Sequence, residues 1–230
     1  MSNKLSIIGY GKMGKMIAAL APEYGFEVHS TIDIGDDFAK AKGADVAIEF
    51  TTPESAVPNV EQLAVMGLPT VVGTTGWMKE MDRVRGVVKS HNTALVWIPN
   101  FSIGVNIFFR LVREASRLLA DEPEYGAWAW EVHHDTKKDA PSGTLIKLVE
   151  EMKSSGYARN IDVASSRAGR HPGTHDIGFD SAADTITLRH AARSREGFAR
   201  GALKAAQWLV GAGRGEKGVF EFADVLFAKK

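Results

Sequence analysis

The stretch Leu5-Ser6-Ile7-Ile8-Gly9-Tyr10-Gly11-Lys12-Met13-Gly14 decides the fold of this chain. A short apolar run, typical of a buried strand, ends in three glycines spaced GxGxxG, and helix-forming residues follow. In such a turn Gly9 permits the tight bend, Gly11 lets the backbone approach a pyrophosphate, and Gly14 lets the helix pack closely on the strand. Because a helix N-terminus favours an anion, the stretch predicts a βαβ unit that binds a dinucleotide.

An acidic residue follows the glycine turn at the distance expected for a ribose-binding carboxylate. Asp33 ends the next apolar segment and stands 19 residues after Gly14, a spacing typical of an acid that binds ribose hydroxyls. A glycine-rich turn that binds no ligand is the alternative, and it does not explain this spacing. Because a carboxylate repels a 2′-phosphate, the sequence predicts a preference for NADH, with NADPH as a possible second cofactor that Lys12 would help to bind.

Short apolar segments alternate with helical segments through the first hundred residues. The expected strands lie at 45–50, 69–73 and 94–98, and the expected helices at 53–67 and 78–91. Short apolar strands of this kind are typical of a parallel sheet whose two faces are covered by helices. The sequence therefore predicts an α/β protein with a Rossmann-like, doubly wound parallel sheet over residues 1–102.

The pattern changes after residue 102, which predicts a second, smaller α/β domain with a mixed sheet at 103–199. Trp128, Trp130 and Val132 are expected on one face of its first strand, because side chains alternate along a strand. The final helix and tail, as residues 200–230, are expected to return to the first domain. The expected elements are a helix at 105–120, a strand at 125–134, a helix from 142, strands at 161–167 and 184–189, a loop at 167–180, a helix at 196–210 and a terminal apolar segment at 218–222.

Bulk composition limits the possible partners and compartments. The 230 residues include 28 basic and 28 acidic side chains, without the basic excess that nucleic-acid binding usually leaves. The absence of cysteine excludes disulfides, thiolate metal sites and an acylating thiol mechanism. The amino terminus lacks signal-peptide character, and no apolar run reaches the ~18 residues of a membrane span. We therefore expect a cytoplasmic protein that binds neither nucleic acid nor a membrane.

The segment Glu131-Val132-His133-His134-Asp135-Thr136-Lys137-Lys138-Asp139-Ala140-Pro141-Ser142-Gly143-Thr144 concentrates groups that bind anions and move protons. Lys137 is a cation suited to a carboxylate, and His133 or His134 can donate a proton near neutral pH. Pro141 predicts a helix entry whose free N–H groups favour another carboxylate. Lys137 and this helix end could therefore hold the two ends of a dicarboxylate.

Two other interpretations of the histidine pair stay open. Strand alternation places His133 and His134 on opposite faces, so both can serve one site only if the strand has ended or twisted there. A strand-end histidine pair before an ordinary helix cap is the structural alternative. A zinc site is the other, but no further ligands are evident beside the pair, so we expect no metal.

Several motifs in order give the chain a resemblance to the dihydrodipicolinate reductase family of the diaminopimelate–lysine pathway. The resemblance covers essentially the whole chain. The motifs are GYGKMG at 9–14, EFTTPE at 49–54, GTTG at 73–76, PNFSIGVN at 99–106 and the 131–144 segment, followed by the weaker matches RAG at 167–169, GTH at 173–175 and GVF at 218–220.

The resemblance implies an activity and an assembly. The expected reaction is the NAD(P)H-dependent reduction of a cyclic dicarboxylate, 4-hydroxy-tetrahydrodipicolinate, by way of dihydrodipicolinate, to tetrahydrodipicolinate. The expected assembly is a homotetramer built through the sheet of the second domain, which would bind the substrate. Closure about the segment near Asn100 would bring the cofactor and the substrate together.

The resemblance also implies roles for individual residues. His133 would be the catalytic acid–base and Lys137 a second proton donor. Substrate binding would fall to His134, Ser142, Gly143 and Thr144. Cofactor binding would fall to Gly9, Tyr10, Gly11, Lys12, Met13, Gly14, Asp33, Gly73, Thr74, Thr75, Ile98, Pro99, Asn100 and Phe101.

Two departures from the family pattern bear on these expectations. Ile34 stands where the family often has a basic residue that helps to bind NADPH. The region between about 156 and 167 is short and lacks a family segment with an extra strand and loop. The strand count of the second domain and the geometry of the tetramer are therefore expected to differ from the family pattern.

Two other functions are weighed against the reductase. One is another two-domain NAD-dependent dehydrogenase, of the amino-acid or semialdehyde type. The other is a non-catalytic NADH-binding sensor, against which the presence of both His133 and Lys137 beside the helix entry argues. The surface of such a sensor would be formed by Arg167, Arg170, His171, Arg189, His190, Arg193 and Arg195.

Overall fold

A computed structural model describes residues 2–228, which form two compact units. The first unit comprises the residues up to Ile103 together with those from Glu196 onward, and the second comprises Gly104–Arg195. The chain was expected to return to its first domain at residue 200, whereas the returning helix belongs to the first unit from Glu196. Residues 1, 229 and 230 of the predicted first domain lie outside the described residues.

The elements alternate as an α/β chain should. The strands are β1 (Asn3–Ile8), β2 (Phe26–Ile32), β3 (Val46–Glu49), β4 (Thr70–Val72), β5 (Ala94–Trp97), β6 (Gly126–His133), β7 (Ile161–Arg167), β8 (Thr174–Asp180), β9 (Thr185–Ala191) and β10 (Gly218–Glu221). The helices are α1 (Lys12–Leu20), α2 (Pro53–Val65), α3 (Met81–Ser90), α4 (Ile103–Leu118), α5 (Gly143–Ser154), α6 (Glu196–Val210) and α7 (Phe222–Leu226). None of these described helices has the length and apolar character needed to cross a bilayer.

The first unit is a parallel sheet of six strands in the order β10-β5-β4-β3-β1-β2. Successive strand residues face opposite layers: Ile48 packs in a core with residues of α1 and α6, and Ala47 packs with residues of α2. Helices therefore cover both faces, and the predicted Rossmann-like doubly wound sheet is confirmed. The strand order reverses between β1 and β3, and in such sheets ligands bind beyond the carboxyl ends of the strands at that point.

The second unit is a mixed sheet in the order β7-β6-β8-β9, with β6 and β7 parallel and the other pairs antiparallel. Helices α4 and α5 cover one face, where Val112 and Leu148 pack with Ala129 and Ile177. Trp128 and Trp130 alternate onto the opposite face, as predicted, and the Trp128 ring lies directly over Gly178. This opposite face carries no described helix in its own unit.

The sequence-based prediction was wrong for much of the segment 167–180. It predicted a loop, but Thr174–Asp180 forms β8, which pairs with both β6 and β9. The strand was missed because its inward positions begin with His175 and its outward positions include Asp176, so the apolar alternation is broken. Both polar side chains are buried and paired, Asp176 with Arg189 and His175 with Glu131. The short helix α7 was also not predicted.

Candidate functional site

The glycine turn has the geometry that its three glycines predict. Gly9 has a φ of +90°, and a β-carbon there would lie 2.0 Å from the carbonyl oxygen of Phe50. A β-carbon on Gly14 would lie 2.1 Å from the carbonyl oxygen of Gly9, so the helix and the turn are in contact. Gly11 precedes α1 and faces open space. Lys12 is exposed, whereas Tyr10 and Met13 pack partly into the core of the first unit.

The loop after β2 presents carboxylates and no cation in residues 33–37. Asp33 is exposed, and its Oδ1 accepts the N–H of Ile34 at 2.9 Å. Asp36 folds the loop by accepting the N–H of Asp33 at 2.9 Å and pairs with Lys40 at 2.5 Å. The Ile34 side chain is fully exposed. A ribose hydroxyl would find acceptors here, whereas a phosphate would meet negative charge.

The predicted cofactor-binding residues Gly73, Thr74 and Thr75 directly follow the end of β4, next to the end of β3. A β-carbon on Gly73 would lie 2.0 Å from the ring of Phe50, so the ring would have to move to admit a side chain there. The Thr74 hydroxyl accepts the N–H of Thr51 at 2.7 Å, which fixes the loop after β4, and Thr75 is exposed. Burial raises the pKa of the neighbouring Glu49 carboxyl. Hydrogen bonds from Thr51, Thr74 and Asn59 lower this pKa but only partly offset the effect of burial.

The segment 98–101 extends beyond β5 along the same edge of the first unit. Ile98 is half-buried and Pro99 is exposed. The Asn100 side chain accepts the N–H of Ser102 at 2.9 Å, which holds the turn. Phe101 is only 2 % exposed, and its ring packs 5.0 Å from that of Phe222. Its side chain belongs to the core, so a cofactor contact at this position is limited to the backbone.

The two neighbouring histidines lie in different elements at the end of β6. His133 is the last strand residue and faces inward on the same side as Glu131. His134 lies in the turn that follows, where its carbonyl accepts the N–H of Lys137 at 3.1 Å and its Nδ1 lies 2.7 Å from the Thr136 hydroxyl. The strand has therefore ended between them, which was the condition for both to serve one site.

Glu131 is the centre of a buried hydrogen-bond network that the sequence analysis did not foresee. Its carboxylate is completely buried, and it joins β6 to β7, β8 and the start of α5. One oxygen, Oε1, accepts from the Ser142 N–H at 2.8 Å, the Ser165 hydroxyl at 3.0 Å and Arg167 at 2.8 Å. The other, Oε2, accepts the Ser142 hydroxyl and lies 3.3 Å from His175 Nε2 and 3.5 Å from His133 Nδ1.

Ser142 is committed to Glu131, which corrects one expectation about the helix entry. Its N–H and its hydroxyl both bind Glu131, and the hydroxyl oxygen also caps α5 by accepting the N–H of Leu145. Ser142 is only 3 % exposed. The prediction that its N–H is free to bind a ligand is therefore wrong. Gly143 is exposed and Thr144 half-buried, and these first residues of α5 keep the predicted place at its N-terminus.

Lys137 lies beside this helix entry with its charge already paired. Its Nζ contacts both oxygens of Asp139, at 2.7 and 2.9 Å. The Lys137 hydrogen bond lowers the pKa of the Asp139 carboxyl. Asp139 is exposed, so an entering carboxylate can compete for the same ammonium group.

Burial shifts the titration of His133. Desolvation is the largest cause, and together with the charges of His175, Lys137 and Arg167 it outweighs Glu131 and lowers the pKa of His133 to about 4. Burial alone would raise the pKa of Glu131, but hydrogen bonds from His175, Ser142 and Arg167 hold it well below its usual range. At neutral pH the pair is therefore a neutral imidazole beside an ionised carboxylate.

Two family models match the chain one after the other. The model described as "Dihydrodipicolinate reductase, N-terminus" matches residues 3–101, and "Dihydrodipicolinate reductase, C-terminus" matches residues 104–226. The chain belongs to the dihydrodipicolinate reductase family. The resemblance inferred from the motifs is thereby confirmed.

Relatives and a solved structure agree with this membership. The chain is 32 % identical to the 4-hydroxy-tetrahydrodipicolinate reductase of Christiangramia forsetii, over 96 % of this chain and 97 % of the relative. It is 34 % identical to that of Syntrophus aciditrophicus, over 95 % and 96 %. A dipicolinate-bound dihydrodipicolinate reductase from Paenisporosarcina sp. TG-14 matches with a TM-score of 0.77 over 96 % of this chain and 98 % of that chain. At 20 % identity this last match supports the fold alone.

The reductase fold brings together potential metal ligands that the sequence analysis did not find. Donor atoms of Glu131, His133 and His175 lie within 4.8 Å of one another, and His134 is not part of this group. The Arg167 guanidinium already supplies positive charge to the Glu131 carboxylate, and the Ser142 hydroxyl binds the oxygen that faces the two rings. We therefore interpret the group as a hydrogen-bond network.

The cationic residues 167–195 do not form one surface on the reductase fold. Arg167 faces inward to Glu131, and Arg189 pairs with Asp176 on the opposite face of the sheet. His190 packs against the ring of Phe108 at 5.9 Å, and burial lowers its pKa. Arg170, His171, Arg193 and Arg195 are exposed.

Proposed function

We propose that the chain reduces 4-hydroxy-tetrahydrodipicolinate with NAD(P)H, by way of dihydrodipicolinate, to tetrahydrodipicolinate, in diaminopimelate and lysine biosynthesis. The observation that carries this proposal is the segment 131–144. It places a buried imidazole, a lysine ammonium and an accessible helix N-terminus in the unit matched by the C-terminal family model. The two curated relatives reported above carry the name of this activity and share nearly their whole length with the chain.

The first unit would bind the dinucleotide, which supplies the hydride. The pyrophosphate would lie against Gly11 and the N-terminus of α1, because free N–H groups and the helix dipole favour an anion there. Residues 73–75 would contact the nicotinamide end, and the backbone of 98–101 would form a second cofactor-binding segment. Asp33 would bind the ribose hydroxyls. We propose NADH as the preferred cofactor, because the loop offers Asp33 and a fully exposed Ile34 where a 2′-phosphate would need a cation.

The second unit would bind the substrate and provide the proton. Gly143 and Thr144 at the N-terminus of α5, with His134, would hold one carboxylate, and Lys137 would hold the other after exchanging Asp139 for it. In this scheme water is lost from the hydroxylated ring, hydride adds to the conjugated system, and the resulting electron-rich carbon takes a proton from His133. General acid catalysis of this kind contributes about 10²–10⁴-fold.

The protonation state of His133 fits a proton taken up with the substrate. The imidazole is neutral at pH 7 in the buried site because desolvation dominates its titration. A bound dicarboxylate would add negative charge next to the ring and raise the pKa of His133, since nearby opposite charge favours the ionised form. Binding would thus load the proton that the reaction consumes.

We also propose the homotetramer implied by the family resemblance, formed through the open face of the β7-β6-β8-β9 sheet. Trp128 and Trp130 are half-buried on this face, and aromatic side chains of this size are enriched in protein interfaces. Light scattering after gel filtration should give a tetramer for the purified chain. Trp130→Glu should dissociate it, and an unchanged mass for this variant would place the interface elsewhere. Function in the cytoplasm stays a prediction.

The test of the proposed function is a coupled assay with two variants. Product of the preceding synthase is added to the chain with NADH, and tetrahydrodipicolinate is identified by mass spectrometry. His133→Ala should mainly lower kcat, because it removes the proton donor. Lys137→Ala should lower kcat and raise KM for the dicarboxylate. Unchanged turnover in both variants would contradict these roles, and no product from the parent chain would contradict the function itself.

A further inference from the structure

The Glu131 carboxylate connects the proposed proton donor to the proposed carboxylate-binding helix end. It is completely buried, yet it stays ionised, because hydrogen bonds from His175, Ser142 and Arg167 compensate the desolvation. A buried charge of this kind is costly unless its partners fill its lone pairs. Both oxygens of Glu131 accept hydrogen bonds. Keeping an ionised carboxylate in this buried position costs desolvation free energy, and packing alone does not explain why the site contains one.

Both oxygens of Glu131 fix the start of α5. The Ser142 N–H donates to Oε1, while the Ser142 hydroxyl donates to Oε2 and accepts the N–H of Leu145. Ser142 is thereby held from both its backbone and its side chain. The position of the next two N–H groups, those of Gly143 and Thr144, follows from the position of Ser142.

The same Oε2 that accepts the Ser142 hydroxyl also faces the imidazole of His133. His133 Nδ1 lies 3.5 Å from Oε2, is buried and has no hydrogen-bond partner. That distance is longer than a hydrogen bond, and catalytic contacts of this kind commonly tighten in the Michaelis complex. His175 Nε2 lies 3.3 Å from the same oxygen, and the His133 and His175 rings meet edge to face with their centroids 5.1 Å apart. The ring of His133 thus has one ionised acceptor, at Nδ1.

We propose that Glu131 is a positioning residue of the reduction, which orients His133 through Nδ1 and anchors the helix end that receives a substrate carboxylate. His175 assists it by contacting the carboxylate oxygen that faces His133. The inference rests on the proposed function, because that function assigns the proton to His133. It extends the function to a residue that itself touches neither substrate nor cofactor.

Glu131→Gln tests the proposal with a matched control. The amide keeps the size of the side chain but removes the charge, so kcat should fall about 10- to 100-fold, the loss typical when a hydrogen-bond partner that orients a metal-ligating histidine is removed. KM for NADH should stay unchanged. Glu151→Gln is the control, because Glu151 is a buried carboxylate of the same unit that pairs with Arg113 and does not contact His133. This control should keep the kcat of the parent chain.

The pH profile of kcat separates positioning from a loss of folded structure. The charged groups facing His133 are Glu131 on β6, Arg167 on β7, His175 on β8 and Lys137 in the loop after β6. Losing the Glu131 charge should move the alkaline limb of kcat to lower pH by about one unit, as an opposite charge at this range typically does. The electrostatic interaction with His175 lowers the pKa of His133, so His175→Gln should move the same limb to higher pH. Opposite shifts from two neighbours do not arise from a general loosening of the unit.

The outcomes distinguish this proposal from the function on which it rests. If His133→Ala lowers kcat but Glu131→Gln and His175→Gln leave both kcat and the alkaline limb unchanged, the positioning role is overturned and the function stands. If His133→Ala has no effect, the proposed role of His133 fails and this inference fails with it, whereas the function itself fails only if the parent chain makes no tetrahydrodipicolinate. If Glu131→Gln does not fold, His175→Gln carries the test alone. One zinc ion per purified chain, lost in His175→Gln, would overturn the proposal in favour of a metal site.

Discussion

Gly173 lies directly against the ring of His133: a β-carbon on Gly173 would be 2.8 Å from His133 Nε2. Gly173 also has a φ of +140°, a conformation that side chains rarely adopt. The turn before β8 therefore leaves room for the imidazole only because this residue has no side chain. The proposed proton donor is held between Glu131 at one nitrogen and Gly173 at the other.

Gly173→Ala should displace His133 and lower kcat about tenfold, equivalent to ~1.4 kcal/mol in the barrier. The strained φ should also cost ~1–3 kcal/mol of stability. Gly169→Ala is the matched control: it lies in the same loop with a φ of +55° and meets no atom within 4 Å. Steady-state kinetics and urea unfolding of both variants check this. Equal kcat in the two variants would show that the contact with His133 does not matter.

Gly14→Ala should weaken NADH binding at least ~10-fold, which corresponds to ~1.4 kcal/mol. Its β-carbon would lie 2.1 Å from the Gly9 carbonyl oxygen and would push α1 away from the turn. Gly86→Ala, in α3 of the same unit, meets nothing within 4 Å and should bind NADH normally. Fluorescence titration with NADH measures both dissociation constants. Unchanged binding by Gly14→Ala would contradict the assigned pyrophosphate site.

Ile34→Arg should lower KM for NADPH while changing KM for NADH little. The new guanidinium would stand beside Asp33, where a 2′-phosphate needs a cation, and arginine binds phosphate with two parallel hydrogen bonds. Val65→Arg adds the same charge to an exposed position of α2 and controls for net charge. The ratio of kcat/KM for the two dinucleotides is the readout. A strong preference of the parent chain for NADPH would contradict the interpretation of Asp33 as the residue that favours NADH.

His133 should make the fold sensitive to acid. Its pKa is lowered to about 4 in the folded chain from the ordinary 6.5, so the unfolded chain takes up the proton first as pH falls. The contribution of His133 to stability is therefore complete above pH 6.5 and is lost as pH falls through 6.5 toward 4. Linkage gives a loss of about 2 kcal/mol at pH 5.

Urea unfolding at several pH values measures this loss. The free energy of unfolding of the parent chain should fall more steeply between pH 7 and 5 than that of His133→Gln. Parallel curves for the two proteins would mean that the His133 imidazole titrates normally in the folded chain.

The sequence predicts the first unit well because its signals are local. The turn from Gly9 to Gly14 and the acid at Asp33 can be predicted from their own residue types and spacing. In the structure, Gly9 and Gly14 make the close contacts expected of them. The second unit was predicted less well. The sequence predicts a loop where the strand containing His175 lies, because a polar side chain that is buried by a distant partner cannot be distinguished from a surface residue in a single sequence.

The segment 131–144 shows the same limit within the candidate site. The positions of His133, Lys137 and the helix entry could be read from spacing. The place of Glu131 could have been suspected, since strand alternation puts it on the face of His133. Its binding to Ser142, Arg167 and His175 joins β6 to three other elements, and such pairings depend on strand order, which the local pattern does not contain.

The most direct test of the central claim follows the hydride itself. The chain is incubated with 4-hydroxy-tetrahydrodipicolinate, generated by the preceding synthase, and with NADH that carries deuterium at the transferable position of nicotinamide C4. The proposed function predicts tetrahydrodipicolinate that gains one deuterium per molecule, at a rate that His133→Ala lowers about 10²-fold or more. Consumption of NADH without label in this product, or no reaction with NADH or NADPH, would contradict it.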